Sequence, residues 1–152
     1  MINRLYFTYD DLLAHKLARQ YKPLALLTNP TVLTNDVSVI IPTIDTPETF
    51  ARTLTLILQN LPREVIIVTI KCDLRLVLDF VGNVSSGATK VSVITAPHGN
   101  KREQMTLGIQ AAKGKILAFV DDDVFWPTDA VLAHLVRGFE DRKVGGVAGP
   151  AS

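Results

Sequence analysis

The sequence predicts an α/β fold: a doubly wound, mostly parallel sheet with helices on both faces. Short β-branched segments alternate with segments of helical periodicity along most of the chain. The β-branched segments are apolar throughout instead of alternating with polar residues, which is typical of parallel strands covered on both faces. A sheet of this kind binds its ligand outside the carboxyl ends of the strands, at a topological switch point.

Composition limits the class of protein. The 152 residues are enough for one domain with its own core, and the 47% hydrophobic content excludes a disordered or low-complexity segment. Sixteen basic and 15 acidic residues leave a net charge of +1, so we expect no nucleic-acid partner. The single cysteine, Cys72, excludes an internal disulfide or a multi-cysteine zinc site, and we expect a buried or incidental thiol.

Residues 1–36 are the least regular part of the chain. They are predicted to form a lead-in arm with a short helix at 9–21 and an extended segment at 22–36, or alternatively a poorly ordered arm. Residues 37–152 are predicted to form the functional unit. The start has no apolar signal region, and the apolar runs fall far short of the roughly 20 residues that span a bilayer, so we expect a soluble piece.

Strands and helices are predicted in strict alternation. The predicted strands lie at 37–41, 65–70, 91–94 and 116–120, with a further strand at 144–147. Thr46 is predicted to cap the first helix, which starts at Pro47 and extends to Leu61. The second helix follows Asp73, the third covers 101–112, and Thr128 is predicted to cap the last. The predicted core-facing residues of the last three helices are Leu74, Val77, Leu78 and Val81; Met105, Ile109 and Ala112; and Val131, Leu132, Leu135 and Phe139.

An acidic triplet, Asp121 to Asp123, directly follows the fourth predicted strand. Three adjacent carboxylates repel one another unless water or a cation relieves the repulsion. Because side chains alternate along an extended loop, Asp121 and Asp123 are expected to point the same way and Asp122 elsewhere. Two carboxylates with open coordination positions suit Mg²⁺ or Mn²⁺ holding a phosphate-bearing substrate. The alternative is a solvated acidic turn beside the next helix.

Two further groups lie at predicted strand ends. Lys101 and Arg102 open the third helix, where cations and free amides suit a diphosphate; a solvated basic pair is the alternative. The segment 42–45 is predicted to hold a base or ribose through its backbone and Asp45, or else to be a plain turn. His98 is expected to have no role in the site, and Trp126 either stacks on a sugar or base or anchors its loop in the core.

Three segments in this order resemble the family 2 glycosyltransferases of the GT-A fold: VSVIIPT at 37–43, NKREQMTLGIQAAKG at 100–114 and ILAFVDDD at 116–123. The resemblance covers about residues 36–152. The lead-in around Tyr21-Lys22-Pro23 also resembles fungal polysaccharide synthases of the capsular and hyaluronan synthase-like type.

The resemblance implies an inverting transfer of sugar from a nucleotide-diphospho-sugar, most often UDP-linked, to a growing polysaccharide or other glycan. Asp121 would match the first Asp of the family's DxD motif, and Asp123 the Asp that binds Mn²⁺ or Mg²⁺. The residues it places by the donor are Pro42, Thr43, Asp45, Thr69, Lys101, Arg102, Asp121 and Asp122.

The chain departs from the family pattern in two places. Thr69 stands where the family usually carries the Asp that reads uracil, so base recognition differs or Asp73 substitutes. The sequence ends about where the family begins its acceptor half. We therefore expect the general base beyond Ser152, no identifiable catalytic residue here, and little or no transfer by residues 1–152 alone. The resemblance further implies a membrane-embedded parent chain with this part facing the cytoplasm, and an exposed apolar face where the acceptor half packs.

Two other functions are compatible with the same residues. One is a non-catalytic nucleotide-binding module with the same sheet. The other is a metal-dependent phosphatase or nucleotidyltransferase, which is disfavoured by Phe125 at a position where a small hydroxyl residue is needed and by the lack of a phosphate-binding glycine loop.

Overall fold

The computed structural model describes residues 25–149, so the helix predicted at 9–21 lies outside the described residues. The strands are β1 (Val37–Pro42), β2 (Glu64–Ile70), β3 (Lys90–Ala96) and β4 (Ile116–Phe119). The helices are α1 (Phe50–Gln59), α2 (Leu74–Gly82), α3 (Lys101–Ala111) and α4 (Val131–Val136), with 3₁₀ turns at Thr34–Asp36 and Arg137–Glu140. Within residues 25–149, none of the helices is long and apolar enough to cross a membrane.

The four strands form one parallel sheet in the order β3-β2-β1-β4. In this sheet Ile40 of β1 is opposite Ile66 of β2 on one side and Phe119 of β4 on the other. The strand order reverses between β1 and β4, which makes their carboxyl ends the topological switch point. The predicted doubly wound, parallel α/β fold is therefore confirmed.

Helices cover both faces of the sheet. On one face, Val39 and Ile41 of β1 pack in the larger core cluster with Phe50 and Leu54 of α1. On the other face, α3 packs on β1, β2 and β3 over a smaller cluster around Ile66. The edge strand β4 is less covered, since Leu117 and Phe119 are 36% and 45% exposed. The prediction that both faces of every strand are covered is therefore wrong at β4.

Helix α3 presents a different face to the sheet than its apolar residues predict. Gln104 and Gly108 are buried, whereas Ile109, predicted to face inward, is 45% exposed. The reason is steric: a β-carbon at position 108 would lie 2.4 Å from Cγ2 of Ile40. The helix therefore approaches β1 through its glycine face and turns Ile109 to solvent, while Ala112, also predicted to face inward, packs on the smaller cluster.

The start and end of α1 also differ from the prediction. Helix α1 begins at Phe50, one turn after the predicted start, because the Thr46 hydroxyl is bonded to the Thr43 hydroxyl at 3.0 Å instead of capping a helix. Leu61 lies beyond the helix with φ of +52° and is 65% exposed. In α2 the prediction that Leu78 faces the core is also wrong, because Val77 occupies the inner face and Leu78 is 49% exposed.

The last helix is capped from another element. The Thr128 hydroxyl makes only a local bond with the Ala130 amide at 3.3 Å, and α4 begins at Val131. The cap comes from Asn60, just after α1, whose Oδ1 accepts the Leu132 amide at 2.9 Å. The strand predicted at 144–147 is wrong: from residue 141 to 149 the chain has neither helix nor strand.

Candidate functional site

Two side-chain contacts meet at the carboxyl ends of β1 and β4. The Thr43 hydroxyl, directly after β1, donates to Oδ2 of Asp122 at 2.5 Å. Nζ of Lys101, at the start of α3, donates to Oδ1 of Asp121 at 2.5 Å. The structure thus brings together the end of β1, the start of α3 and the acidic loop, as the sequence predicted for a ligand site at the switch point.

The three carboxylates of the triplet have different surroundings. Asp122 is half-buried against Thr43, and Asp121 is exposed and paired with Lys101. Asp123 is exposed, and its carboxylate has no hydrogen-bond or ion-pair partner among residues 25–149. The expectation that Asp121 and Asp123 point the same way stays a prediction.

The carboxylate oxygens of Asp121 and Asp123 fit a hard divalent cation that is also bound by a phosphate-bearing substrate. Carboxylate oxygens are the ligands preferred by Mg²⁺ and Mn²⁺, and the free carboxylate of Asp123 is accessible from solvent. Within residues 25–149, no cluster of three or more His, Cys, Asp or Glu forms a complete protein cage for a metal. Such a cation would therefore take some of its ligands from the substrate or from water.

The amino end of α3 offers cations but fewer free amides than the sequence predicted. Oδ1 of Asn100 accepts the amides of Arg102 at 2.9 Å and Glu103 at 3.4 Å, an N-cap that occupies two of the first-turn donors. The side chains of Lys101 and Arg102 are exposed, and that of Lys101 contacts Asp121 of the acidic loop. The charge available to an anion here therefore comes from these two side chains.

The loop after β1 is held from the end of β2. Pro42 is buried as the last residue of β1, and Asp45 is exposed with φ of +52°. The Asp45 amide donates to Oδ2 of Asp73 at 2.8 Å. Asp tolerates this left-handed conformation better than bulky residues do, and the bond to Asp73 holds the main chain of Asp45 in place. One oxygen of Asp73 is thus bonded to the protein's own backbone.

Thr69, another predicted donor residue, has none of the site's residues as a hydrogen-bond partner. Its side chain is fully buried in β2, and its hydroxyl has no hydrogen-bond partner within the described part of the chain. Thr69 therefore cannot contact a base directly in this structure, and could affect base binding only by positioning neighbouring residues.

The loop after the triplet is anchored in the core. Trp126 is 5% exposed and belongs to the larger core cluster, so of its two predicted roles the structure supports the anchor. The guanidinium of Arg52 lies over the ring of Phe125, 5.1 Å from its centroid. His98 is exposed near Glu103, and Cys72 is exposed, so the expectation of a buried thiol is wrong and the incidental one stands.

A buried carboxamide beneath the site was missed at the sequence level. Nε2 of Gln104 donates to the main-chain oxygens of Thr43 at 3.0 Å and Val68 at 2.8 Å. The available signal was the spacing of Gln104 and Gly108, one helical turn apart on the same face of α3.

A pocket of about 480 Å³ lies at the opposite edge of the sheet and is mostly apolar. Its lining includes Leu33, Leu61 and Thr89, which come from segments that lead into the strands. It contains none of the charged residues described above.

Comparison with known proteins gives the family. A sequence model described as glycosyltransferase like family 2 matches residues 34–152. The NDP-glycosyltransferase ltbB of Aspergillus luteorubrus is 43% identical over 133 residues, covering 87% of this chain and 32% of the relative. A type 2 glycosyltransferase of Zymoseptoria tritici is 35% identical over 128 residues, covering 84% of this chain and 26% of the relative. The chain thus spans about a third or less of the length of these relatives.

Solved structures agree on the fold. The mannosyltransferase PcManGT from Pyrobaculum calidifontis, solved with GDP-Man and Mn²⁺, superimposes with a TM-score of 0.66 at 24% identity, covering 88% of this chain and 41% of that one. TarS of S. aureus superimposes with a TM-score of 0.55 at 18% identity, covering 76% of this chain and 23% of that one. These superpositions show the GT-A fold, and the family match over residues 34–152 shows that this chain belongs to glycosyltransferase family 2.

Proposed function

We propose that this chain is the donor-binding part of an inverting family 2 glycosyltransferase, which transfers sugar from a nucleotide-diphospho-sugar to a glycan. The observation that carries the proposal is the meeting of Thr43–Asp122 and Lys101–Asp121 at the switch point of the sheet. Open α/β sheets bind their ligands at this place. The names of the Aspergillus and Zymoseptoria relatives support the same activity.

The donor is proposed to be a UDP-sugar. Its base and ribose would lie against the segment from Pro42 to Asp45, and its diphosphate by Lys101 and Arg102. Two exposed cations at one helix start favour a diphosphate because the anion gains charge-assisted hydrogen bonds from both. A GDP-linked donor is the second candidate, because PcManGT was solved with GDP-Man.

Asp123 and Asp121 are proposed to hold Mn²⁺ or Mg²⁺. The unpaired, exposed carboxylate of Asp123 is the stronger argument, because binding there breaks no existing contact among the described residues. When bound, the cation supplies positive charge that stabilises the departing nucleoside diphosphate. Lys101 neutralises Asp121 without the cation and adds positive charge beside the diphosphate.

The whole protein is proposed to be a membrane-embedded polysaccharide synthase with this part on the cytoplasmic side. The support is the resemblance of the lead-in to fungal synthases of the capsular and hyaluronan synthase-like type. Residues 1–152 alone are proposed to transfer little or no sugar. Transfer measured with the purified chain and a radiolabelled UDP-sugar would contradict this last point.

Titration calorimetry of UDP and GDP with the purified chain, with and without Mn²⁺, tests the donor site. We expect Mn²⁺-dependent binding of UDP that Asp123→Ala abolishes. The matched control is Asp129→Ala, an exposed carboxylate of the same loop region, which should bind as the native chain does. Absence of binding for both nucleotides, or an equal loss in both variants, would contradict the proposal.

A further inference from the structure

We propose that Gln104 is a positioning residue of the donor site, whose buried carboxamide fixes Thr43 and thereby the Asp122 carboxylate. This inference rests on the proposed function of the site, although its structural part is tested independently below. Gln104 is 1% exposed, so its side chain lies beneath the site and acts through another residue.

The carboxamide joins three elements. From α3, its Nε2 donates to the main-chain oxygen of Thr43 at 3.0 Å and to that of Val68 at 2.8 Å. The Val68 oxygen also accepts the Thr43 amide at 2.9 Å. A buried donor and a buried carbonyl are costly when left unpaired, so this arrangement strongly favours one position for the main chain of Thr43.

Fixing the main chain of Thr43 also fixes its hydroxyl. That hydroxyl donates to Asp122 at 2.5 Å and is bonded to the Thr46 hydroxyl at 3.0 Å. Thr43 is 2% exposed, which leaves it little space to reorient. A shift of the Thr43 carbonyl would therefore be passed through a single residue to the acidic loop.

The same helix also positions Lys101 for its contact with Asp121. Gly108, one turn after Gln104, sets the distance between α3 and β1, and Gln104 bonds the helix to the ends of β1 and β2. Lys101 lies nearly one turn before Gln104, at the end of the helix that meets the acidic loop. Gln104 thus supports both contacts that define the site.

The test replaces Gln104 by Met in the 152-residue chain, which keeps the length of the side chain and removes both donors. Affinity for UDP with Mn²⁺ is measured by calorimetry, and backbone hydrogen exchange is followed at 43–46 and 120–124. We expect affinity to fall about tenfold or more, since small misplacements of binding groups are costly. Exchange should accelerate in these two segments, while 112–116 at the opposite edge stays unchanged.

Gln110→Met is the matched control, because Gln110 is exposed on the same helix. It should match the native chain in both measurements. Unchanged exchange at 43–46 and 120–124 in folded Gln104→Met would overturn the proposal. So would unchanged affinity while the native chain binds UDP. If the native chain binds no nucleotide, the proposed function fails. The exchange measurement then still tests whether Gln104 holds the main chain of Thr43 in place.

A second variant covers the case in which Gln104→Met does not fold. Thr43→Val removes only the hydroxyl through which Gln104 is proposed to act, and it should accelerate exchange at 120–124. If it does not, the proposal is overturned. Where both variants fold, the double variant should lose less affinity than the sum of the two single losses, because both residues act through the contact to Asp122.

Discussion

Gly108 of α3 lies so close to Ile40 of β1 that a β-carbon at position 108 would be 2.4 Å from Cγ2 of Ile40. This close approach decides which face of α3 meets the sheet. It also brings Gln104, one turn earlier, within hydrogen-bond distance of the main chain of Thr43. One small residue therefore sets both the packing of a helix and the support of the site.

Gly108→Ala is expected to lower the free energy of unfolding by about 1–3 kcal/mol, because the added methyl group overpacks the contact with Ile40. Urea unfolding followed by circular dichroism measures the change. Gly82→Ala is the control, since a β-carbon there meets nothing within 4 Å. Equal unfolding free energies for the two variants would refute the steric explanation.

Asn60→Ala is expected to destabilise the protein by about 1–3 kcal/mol, because it leaves the buried Leu132 amide unpaired. The lost bonds are those to the Leu132 amide at 2.9 Å, the Thr128 oxygen at 3.1 Å and the Leu56 oxygen at 3.0 Å. Thermal unfolding of the variant checks this against Gln59→Ala, an exposed neighbour at the end of α1. An Asn60 variant as stable as the Gln59 variant would show that the cap of α4 is dispensable.

Glu64 is expected to make stability depend on acid pH. Burial alone would raise its pKa, but hydrogen bonds from the Ser38 hydroxyl and the Lys113 amide outweigh burial, so its pKa lies below the ordinary 4.5. The carboxylate therefore stabilises the fold above about pH 4.5, and this contribution is lost as the pH falls through the lowered pKa.

Glu64→Gln should consequently show a smaller loss of unfolding free energy between pH 6 and pH 3 than the native chain, in buffers of equal ionic strength. Glu48→Gln, at an exposed position before α1, is the control and should lose as much as the native chain. Identical pH profiles for Glu64→Gln and the native chain would remove Glu64 as a cause of the acid dependence.

Lys101→Met is expected to weaken UDP binding without lowering the stability of the fold. The Lys101–Asp121 pair is solvent-exposed on both sides, with side chains 60% and 54% exposed, and such pairs contribute about 0–1 kcal/mol. Unfolding should therefore change little, while calorimetry should show weaker UDP binding in the presence of Mn²⁺. Lys115→Met, which breaks the Lys115–Asp36 pair at the opposite edge of the sheet, should leave UDP binding unchanged. Equal affinities for both variants would remove Lys101 from the donor site.

The acidic triplet illustrates how far the site was predictable. Its place after a buried apolar strand predicts its position at the carboxyl edge of the sheet, and the structure confirms that it meets Thr43 and Lys101 there. The partner of each carboxylate was not predictable, because it depends on which segment lies opposite once the strands are ordered. The same holds for Thr69. Its place in a strand was predictable from the sequence, but its complete burial depends on the tertiary packing around that strand.

Local sequence determined the class of fold. Continuous β-branched segments separated by helical patterns are enough to specify buried parallel strands, because each strand needs only its own apolar residues to be covered on both faces. Tertiary structure decided which face of α3 is inside, which residue caps α4 and what holds Thr43. Gly108, Asn60 and Gln104 perform these tasks through contacts with residues 36 to 72 positions away, and a pattern of local periodicity contains no information about such distant partners.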